Sequence, residues 1–418
     1  MEKIKFNNGL QLALMPISGI RSVSIGIFTG AGCIFENEKT TGISHLIEHM
    51  VFKGTENRSA FKIVEEIDEM GAQINAYTAK EITCFYTKSV DEQAEKCFEI
   101  LSDIFFNATF DENELKKEKN VVLEEISMVE DTPDDIIFDM LASVAFKGHP
   151  LQKPILGTSE SVKSFTPADM RDYMKKYYIP SNTVIAVAGN MNLDTAAKFT
   201  EKYFVNNFVS GGLKPKAPAR HSGSSGNIIK VKDIEQANIC LSFPCFPYDH
   251  ELYYAQAAFN YIFGNGMTSR LFQKLREEQG LCYSVYSYPS VYINNGILTI
   301  YTGTNLNNVE KSVLSIKEEI KSITEKGFTE KEFLRGKEQL KGGFILGQEN
   351  SSALMMSIGR YLLLTGKNFD LNEKLDAINK VTYDQAVNVM HNIFNFEKVS
   401  AAYVGKNPSC DIYEIIKN

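Results

Sequence analysis

At 418 residues, 44% hydrophobic and 23% charged, the chain has the composition of a globular protein and room for two or three domains. Its net charge of −8 lacks the basic footprint that phosphate backbones require, which excludes a nucleic-acid partner and suits a basic or neutral one. Seven cysteines, an odd number with no C-x-x-C pair, exclude a disulfide framework and a cysteine zinc knot, and point to a reducing cytoplasm.

In chain order, the opening "MEKIKFNNGLQLALMP" has neither the apolar run of a signal peptide nor the Arg-rich, acid-poor pattern of an organelle presequence. It predicts two short strands around the turn "NNG". No run approaches a transmembrane span. Positions 40–54, "TTGISHLIEHMVFKG", predict an amphipathic helix with Gly54 as its stop. From Ala60, "AFKIVEEIDEMGAQINAYT" reads as a helix, a glycine stop and a strand. From Phe110, "FDENELKKEKNVVLEEI" opens a helix running to about Glu130, with Asp111 and Glu114 as a capping-box-like start. "FTPADMRDYMKKYY" from Phe165 is a Thr-capped helix followed by the β-rich "NTVIAVAGNMN".

The stretch 206–226, rich in Gly, Ser and Pro, reads as a linker. Beyond it the same order returns in "RLFQKLREEQGLCYSVYSY" from Arg270, "FTEKEFLRGKEQLKGGF" from Phe328, and "VTYDQAVNVMHNIF" from Val381 followed by "VSAAYVGKNP". This predicts a duplication of about 210 residues. The expected domains are 1–208 and 227–418, joined by a linker over 209–226. Each is expected to be α+β, a mixed or antiparallel sheet with helices packed on one face.

His45, Glu48 and His49 form H-x-x-E-H. On a helix, residues i, i+3 and i+4 share one face, and two neutral imidazoles one turn apart can both reach zinc at ~2.0–2.1 Å. A catalytic zinc needs a third protein ligand and an open position. The helix from Asp111 supplies it. Leu115, Val122, Ile126 and Val129 define its apolar face, and with Val122 at zero, Glu118 falls near about −40° and Glu125 near about −60°. Carboxylates beside a core need a partner or a metal. Glu125 is therefore the expected third ligand, Glu118 a group holding a ligand histidine by its free N–H, and Glu124 a solvated neighbour. Aligning the duplicate places Gly336 and Gly343 at the positions of Glu118 and Glu125, and Tyr254 and Ala258 at those of the histidines. The frame thus recurs without the metal residues. Imidazole and carboxylate ligands suit zinc, and would also take cobalt or manganese.

These features resemble the pitrilysin family of zinc peptidases, the inverzincins, over essentially the whole chain. Within it they are most similar to the mitochondrial processing peptidase β subunit and its short bacterial relatives. The family pattern places a glutamate about 76 residues after the second histidine, which here is Glu125, and another seven earlier, which is Glu118. "HMVFKGT", "NAYTAKE", "HPLQKPILGT" and "SRLFQKLREEQGLCYSV" are similar as well. The resemblance implies a zinc endopeptidase with one Zn2+ per chain and Glu48 as general base on zinc-bound water. It implies that Arg276 and Tyr283 grip substrate, against the plainer readings of a helix-end cation beside Glu277 and a strand core residue. It implies that Asn75 and Ala76 lie on a strand edge that takes a peptide as an added strand, where Asn75 also reads as a turn-proximal residue. Relatives enclose peptides or unfolded segments in a clamshell of four such domains. A chain with two should therefore pair, and the full residue set here implies a homodimer with the grip supplied in trans. A non-catalytic scaffold subunit and the catalytic half of a heterodimer are the alternatives. His149, His221, His250 and His391 read as structural or solvated.

Overall fold

The computed structural model describes residues 1–208 and 212–418. Positions 209–211 of the expected linker lie outside the described residues. The chain forms two compact units, each around its own sheet: Met1–Ser127, Lys153–Ala217 and Leu346–Asp370, and then Met128–Gln152, Pro218–Ile345 and Leu371–Asn418. Among the described residues no helix is long and apolar enough to cross a membrane.

The first sheet comprises β1 (Glu2–Lys5), β2 (Gln11–Pro16), β3 (Ser22–Thr29), β4 (Gln73–Thr78), β5 (Thr83–Val90) and β6 (Thr183–Gly189), ordered β1-β2-β6-β3-β5-β4. The second comprises β7 (Gly226–Val231), β8 (Gln236–Pro244), β9 (Cys282–Val291), β10 (Gly296–Asn305) and β11 (Ser400–Gly405), ordered β7-β11-β8-β10-β9. Without β1 the two orders are the same. Each has one parallel pair, β2 with β6 and β11 with β7, among antiparallel ones. The duplication read from helix caps is thus a duplication of topology. Its local signals recur as expected. The "NNG" turn joins β1 to β2, with Gly9 at φ 96, and Thr166 and Thr382 each close a capping box.

Strand periodicity explains the main core. Val23, Ile25 and Ile27 point to one face of β3 and join Leu46, Ile47, Phe98 and Leu101, as a period of two requires. Yet all but the first residue of β3 are buried, so its other face is covered too. The helix Ser351–Thr365 covers it: Ser24 Oγ lies 2.9 Å from Ser351 Oγ, and a Cβ on Gly359 would stand 2.2 Å from the Phe28 ring. In the second unit the helix Pro133–Ala145 plays this part, packing Ile137, Met140 and Leu141 on Cys240, Ala402 and Val404. Each fully buried side chain of this size contributes roughly 1.5–3 kcal/mol. Each sheet therefore borrows one helix from the other half of the sequence. The compact units depart from the expected division at 208/227 for this reason.

In the second unit Thr329 and Glu332 cap their helix reciprocally, and Arg270 meets the Glu332 carboxylate in a two-pronged bond at 2.8 and 3.1 Å. Burial pushes this carboxyl up, but Arg270 and Thr329 outweigh it and hold its pKa at about 2. A depressed carboxylate stabilises above its unfolded value, about 4.3, and that contribution is lost as pH falls toward the folded value. Glu332→Gln is therefore expected to lower the urea midpoint near neutral pH. The gap from wild type should close as pH falls from about 4.5 to about 2. A gap independent of pH would refute the assignment.

Candidate metal centre

The helix Ile43–Met50 buries Ile43, Leu46, Ile47 and Met50 in the first core. This pins the adjoining arc that carries His45, Glu48 and His49. The helix ends at Met50, short of the expected stop at Gly54, whose φ of 122 belongs to the following loop. The two imidazoles lie 4.6 Å apart between ring centroids. The helix Glu112–Asp131 docks through Leu115, Val122 and Ile126, leaving Glu124 exposed and Glu125 half-buried.

Glu125 Oε2 stands 3.8 Å from His45 Nε2 and 3.6 Å from His49 Nε2. These separations are long for hydrogen bonds and lie within a few tenths of an ångström of the roughly 3.3–3.4 Å between two atoms bound ~2.0–2.1 Å from one tetrahedral zinc. Among the described residues, His45, His49 and Glu125 are the group whose ligand atoms come together, all within 4.8 Å of one another. Burial, aided by the charge of His49, lowers the His45 pKa to about 4. The ring is thus neutral near pH 7 with a lone pair to give, as a metal ligand requires. Its Nδ1 is buried without a hydrogen-bond partner among the described residues. The donor set and its spacing fit a zinc ion.

Glu118 is buried, with Oε2 3.2 Å from His49 Nδ1 and Oε1 2.8 Å from Lys53 Nζ. Accepting the Nδ1 proton leaves the His49 Nε2 lone pair facing Glu125. In the second unit, a Cβ on Gly336 would stand 2.9 Å from the Ala258 carbonyl and one on Gly343 would stand 3.0 Å from Tyr261 Oη. The helices there close over the counterpart of Glu118, while the counterpart of Glu125 is an exposed glycine.

Burial raises the Glu48 pKa, partly offset by a hydrogen bond from Thr78 Oγ1 and by His49. Thr78 ends β4, the edge strand of the sheet, whose pairing is with β5. Asn75 is exposed on the same strand with Oδ1 accepting from Ala76 N at 2.8 Å, and Ala76 stands opposite Phe85. The metal helix and this edge are thus adjacent. Sequence reasoning missed Thr78 and Lys53. Both lay inside quoted motifs, but neither carries a periodicity that points at its partner.

In the second unit Arg276 lies in the helical segment Phe272–Glu278 and Tyr283 near the start of β9. The guanidinium sits 4.8 Å from the Tyr283 ring centroid and 4.7 Å from that of Phe272, a cation–π sandwich. It also lies 3.8 Å from Glu277. Tyr283 is 74% exposed, which removes the core reading. The remaining histidines have structural surroundings. His149 Nδ1 accepts from Leu151 N, His221 bonds Ser224 and His250 stacks on Phe246, while His391 is exposed.

Residues 14–159 match the family model described as insulinase (peptidase family M16), and residues 164–340 the one described as the peptidase M16 inactive domain. An uncharacterized zinc protease of Bacillus subtilis is 42% identical over 387 residues, 93% of this chain and 94% of its own. Another, from Rickettsia felis, is 37% identical over 404 residues, 96% of this chain and 97% of its own. A solved protease from Helicobacter pylori superposes with a TM-score of 0.89 at 20% identity, covering 97% of this chain and 99% of that one. A chain of complex III2 from Candida albicans superposes with a TM-score of 0.87 at 21% identity, covering 99% and 98%. The last two show the fold.

Proposed function

The chain belongs to the insulinase family of zinc peptidases, peptidase family M16, and from that premise we propose that it is an endopeptidase cleaving peptides and unfolded segments. The observation that carries this reading is the convergence of His45, His49 and Glu125 beside a half-buried glutamate, Glu48, whose pKa is raised. His45, His49 and Glu125 would hold a zinc ion, which would supply a Lewis acid for the scissile carbonyl and for an attacking water. Glu48 takes the proton from that water and returns it to the leaving amine. Its burial makes the carboxylate a stronger base, and the Thr78 bond leaves its other oxygen free for the proton. Glu118 keeps His49 in the ligating tautomer. The β4 edge, with Asn75 and Ala76, receives the substrate as an added strand.

The enzyme works as a homodimer in the cytoplasm, enclosing basic or neutral peptides between two subunits. Arg276 and Tyr283 of one subunit complete the zinc site of its partner. Support for this comes from the exposure of Tyr283 and from the presence of both residue sets in one chain. A scaffold role would leave the three convergent ligands without a use. Mixing Glu48→Gln with Arg276→Ala protein, each silent alone on a quenched fluorescent peptide, is expected to restore about a quarter of wild-type activity, since half of the reassorted dimers are mixed and each holds one complete site. No recovery after subunit exchange, or a monomer by size-exclusion chromatography, would sink the in-trans arrangement. A wild type that cleaves no peptide would sink the peptidase reading.

A further inference from the structure

We infer that Glu36 is a positioning residue for the metal centre: its buried carboxylate fixes the first turn of the helix Ile43–Met50 and thereby sets where His45 stands. The inference rests on the reading of this site as a zinc centre. Glu36 is 4% exposed. Its Oε2 accepts from Gly42 N at 2.8 Å and its Oε1 from Ser44 N at 3.0 Å. A helix leaves its first N–H groups without partners inside the helix. Gly42, just ahead of it with φ 91, has no side chain to serve as a cap. The acceptor therefore comes from six to eight residues upstream, and it brings a negative charge to the positive end of the helix. An ion is costly to bury unless it is hydrogen-bonded. Lys153 lies close, yet its ammonium donates to the Glu36 backbone carbonyl, which leaves the Ser44 hydroxyl and the N–H groups of Gly42 and Ser44, all at the start of the helix, as partners of the carboxylate.

The same turn is held from two other sides. Gly42 and Gly157 meet so closely that a Cβ on Gly42 would stand 2.7 Å from Gly157 Cα. Ser161 Oγ donates to the Thr41 carbonyl at 2.7 Å, and Ser44 Oγ bonds Tyr173 Oη at 2.9 Å. His45 follows Ser44 directly. His49 has its own support in Glu118 at 3.2 Å, whereas the buried Nδ1 of His45 has no hydrogen-bond partner among the described residues. His45 therefore depends on its backbone for position, and Glu36 holds that backbone.

Glu36→Gln keeps the shape but sets an amide N–H against a helix N–H, so one of the two bonds is lost. Zinc affinity by chelator competition and the visible spectrum of the cobalt-loaded protein test the role, with circular dichroism reporting the fold. The expected result is zinc bound about 10-fold or more weakly, as for other groups that orient metal ligands, with an altered cobalt spectrum and unchanged helix content. A folded Glu36→Gln protein with wild-type zinc affinity and cobalt spectrum overturns the inference. Should that variant fail to fold, Glu36→Asp decides it. This variant keeps the charge and withdraws it by one methylene. Weaker zinc binding with a shifted spectrum supports the role, and wild-type values overturn it. A wild type that binds no zinc overturns the reading of the site itself, and this inference with it.

Discussion

Glu48→Gln is expected to lower the rate of peptide hydrolysis by about 10²–10⁴-fold, the range that a positioned acid–base group contributes, while zinc content stays at wild type. The amide has the size of the carboxylate and still accepts from Thr78. Glu48 is not one of the three residues whose ligating atoms converge at the centre. What the amide cannot do is take a proton. The burial that raises the Glu48 pKa is then no longer useful, because its function is to make the carboxylate basic. Hydrolysis of a quenched fluorescent basic peptide, read beside elemental analysis of the same sample, separates loss of the base from loss of the metal. A variant within about 2-fold of the wild-type rate would remove Glu48 from the chemistry, since the smallest acid–base contributions are far larger.

Glu125→Gln is expected to lose the metal itself. Of the three ligands it is the one from a different helix, and its Oε2 lies within 3.8 Å of both imidazole Nε2 atoms. A neutral amide is a poor ligand for a dication, and two histidines alone leave the site short of a catalytic zinc's three protein ligands. Removing a group that only orients a ligand costs about 10–100-fold in affinity, so loss of the ligand is expected to exceed roughly 100-fold. Zinc should fall from about one per chain to a trace after dialysis against a chelator, and activity should fall with it. Glu124→Gln, one residue away on the exposed side of the same helix, should keep both. Equal zinc in the two variants would mean that the wheel position of Glu125 carries no ligand.

The contrast between Glu124 and Glu125 shows how much of the site was legible in the sequence. An α-helix advances 100° per residue whatever surrounds it, so Leu115, Val122 and Ile126 mark the buried arc and Glu118 and Glu125 fall beside it. The same local rule put His45, Glu48 and His49 on one arc. The caps at Thr166 and Thr382 and the recurring element order announced the duplication, which the two sheets repeat strand for strand once β1 is set aside.

Other features were decided at tertiary level. "SSALMMSIGRYLLLT" is apolar around most of its circumference, so no stripe says which surface it joins, and it lies on β3 of the opposite half of the chain. Gly26, Phe28 and Gly359 read as ordinary residues until that helix is placed. Thr78 reaches Glu48 across 30 residues, Glu118 reaches Lys53 in the turn after the metal helix, and Glu36 caps a helix that has no capping residue of its own. Periodicity is set by bonds within a few residues of one another, and so a single chain displays it. The partner of a buried charge, or of a sheet's second face, is set by which distant surfaces exclude water together, and only the folded chain makes that choice.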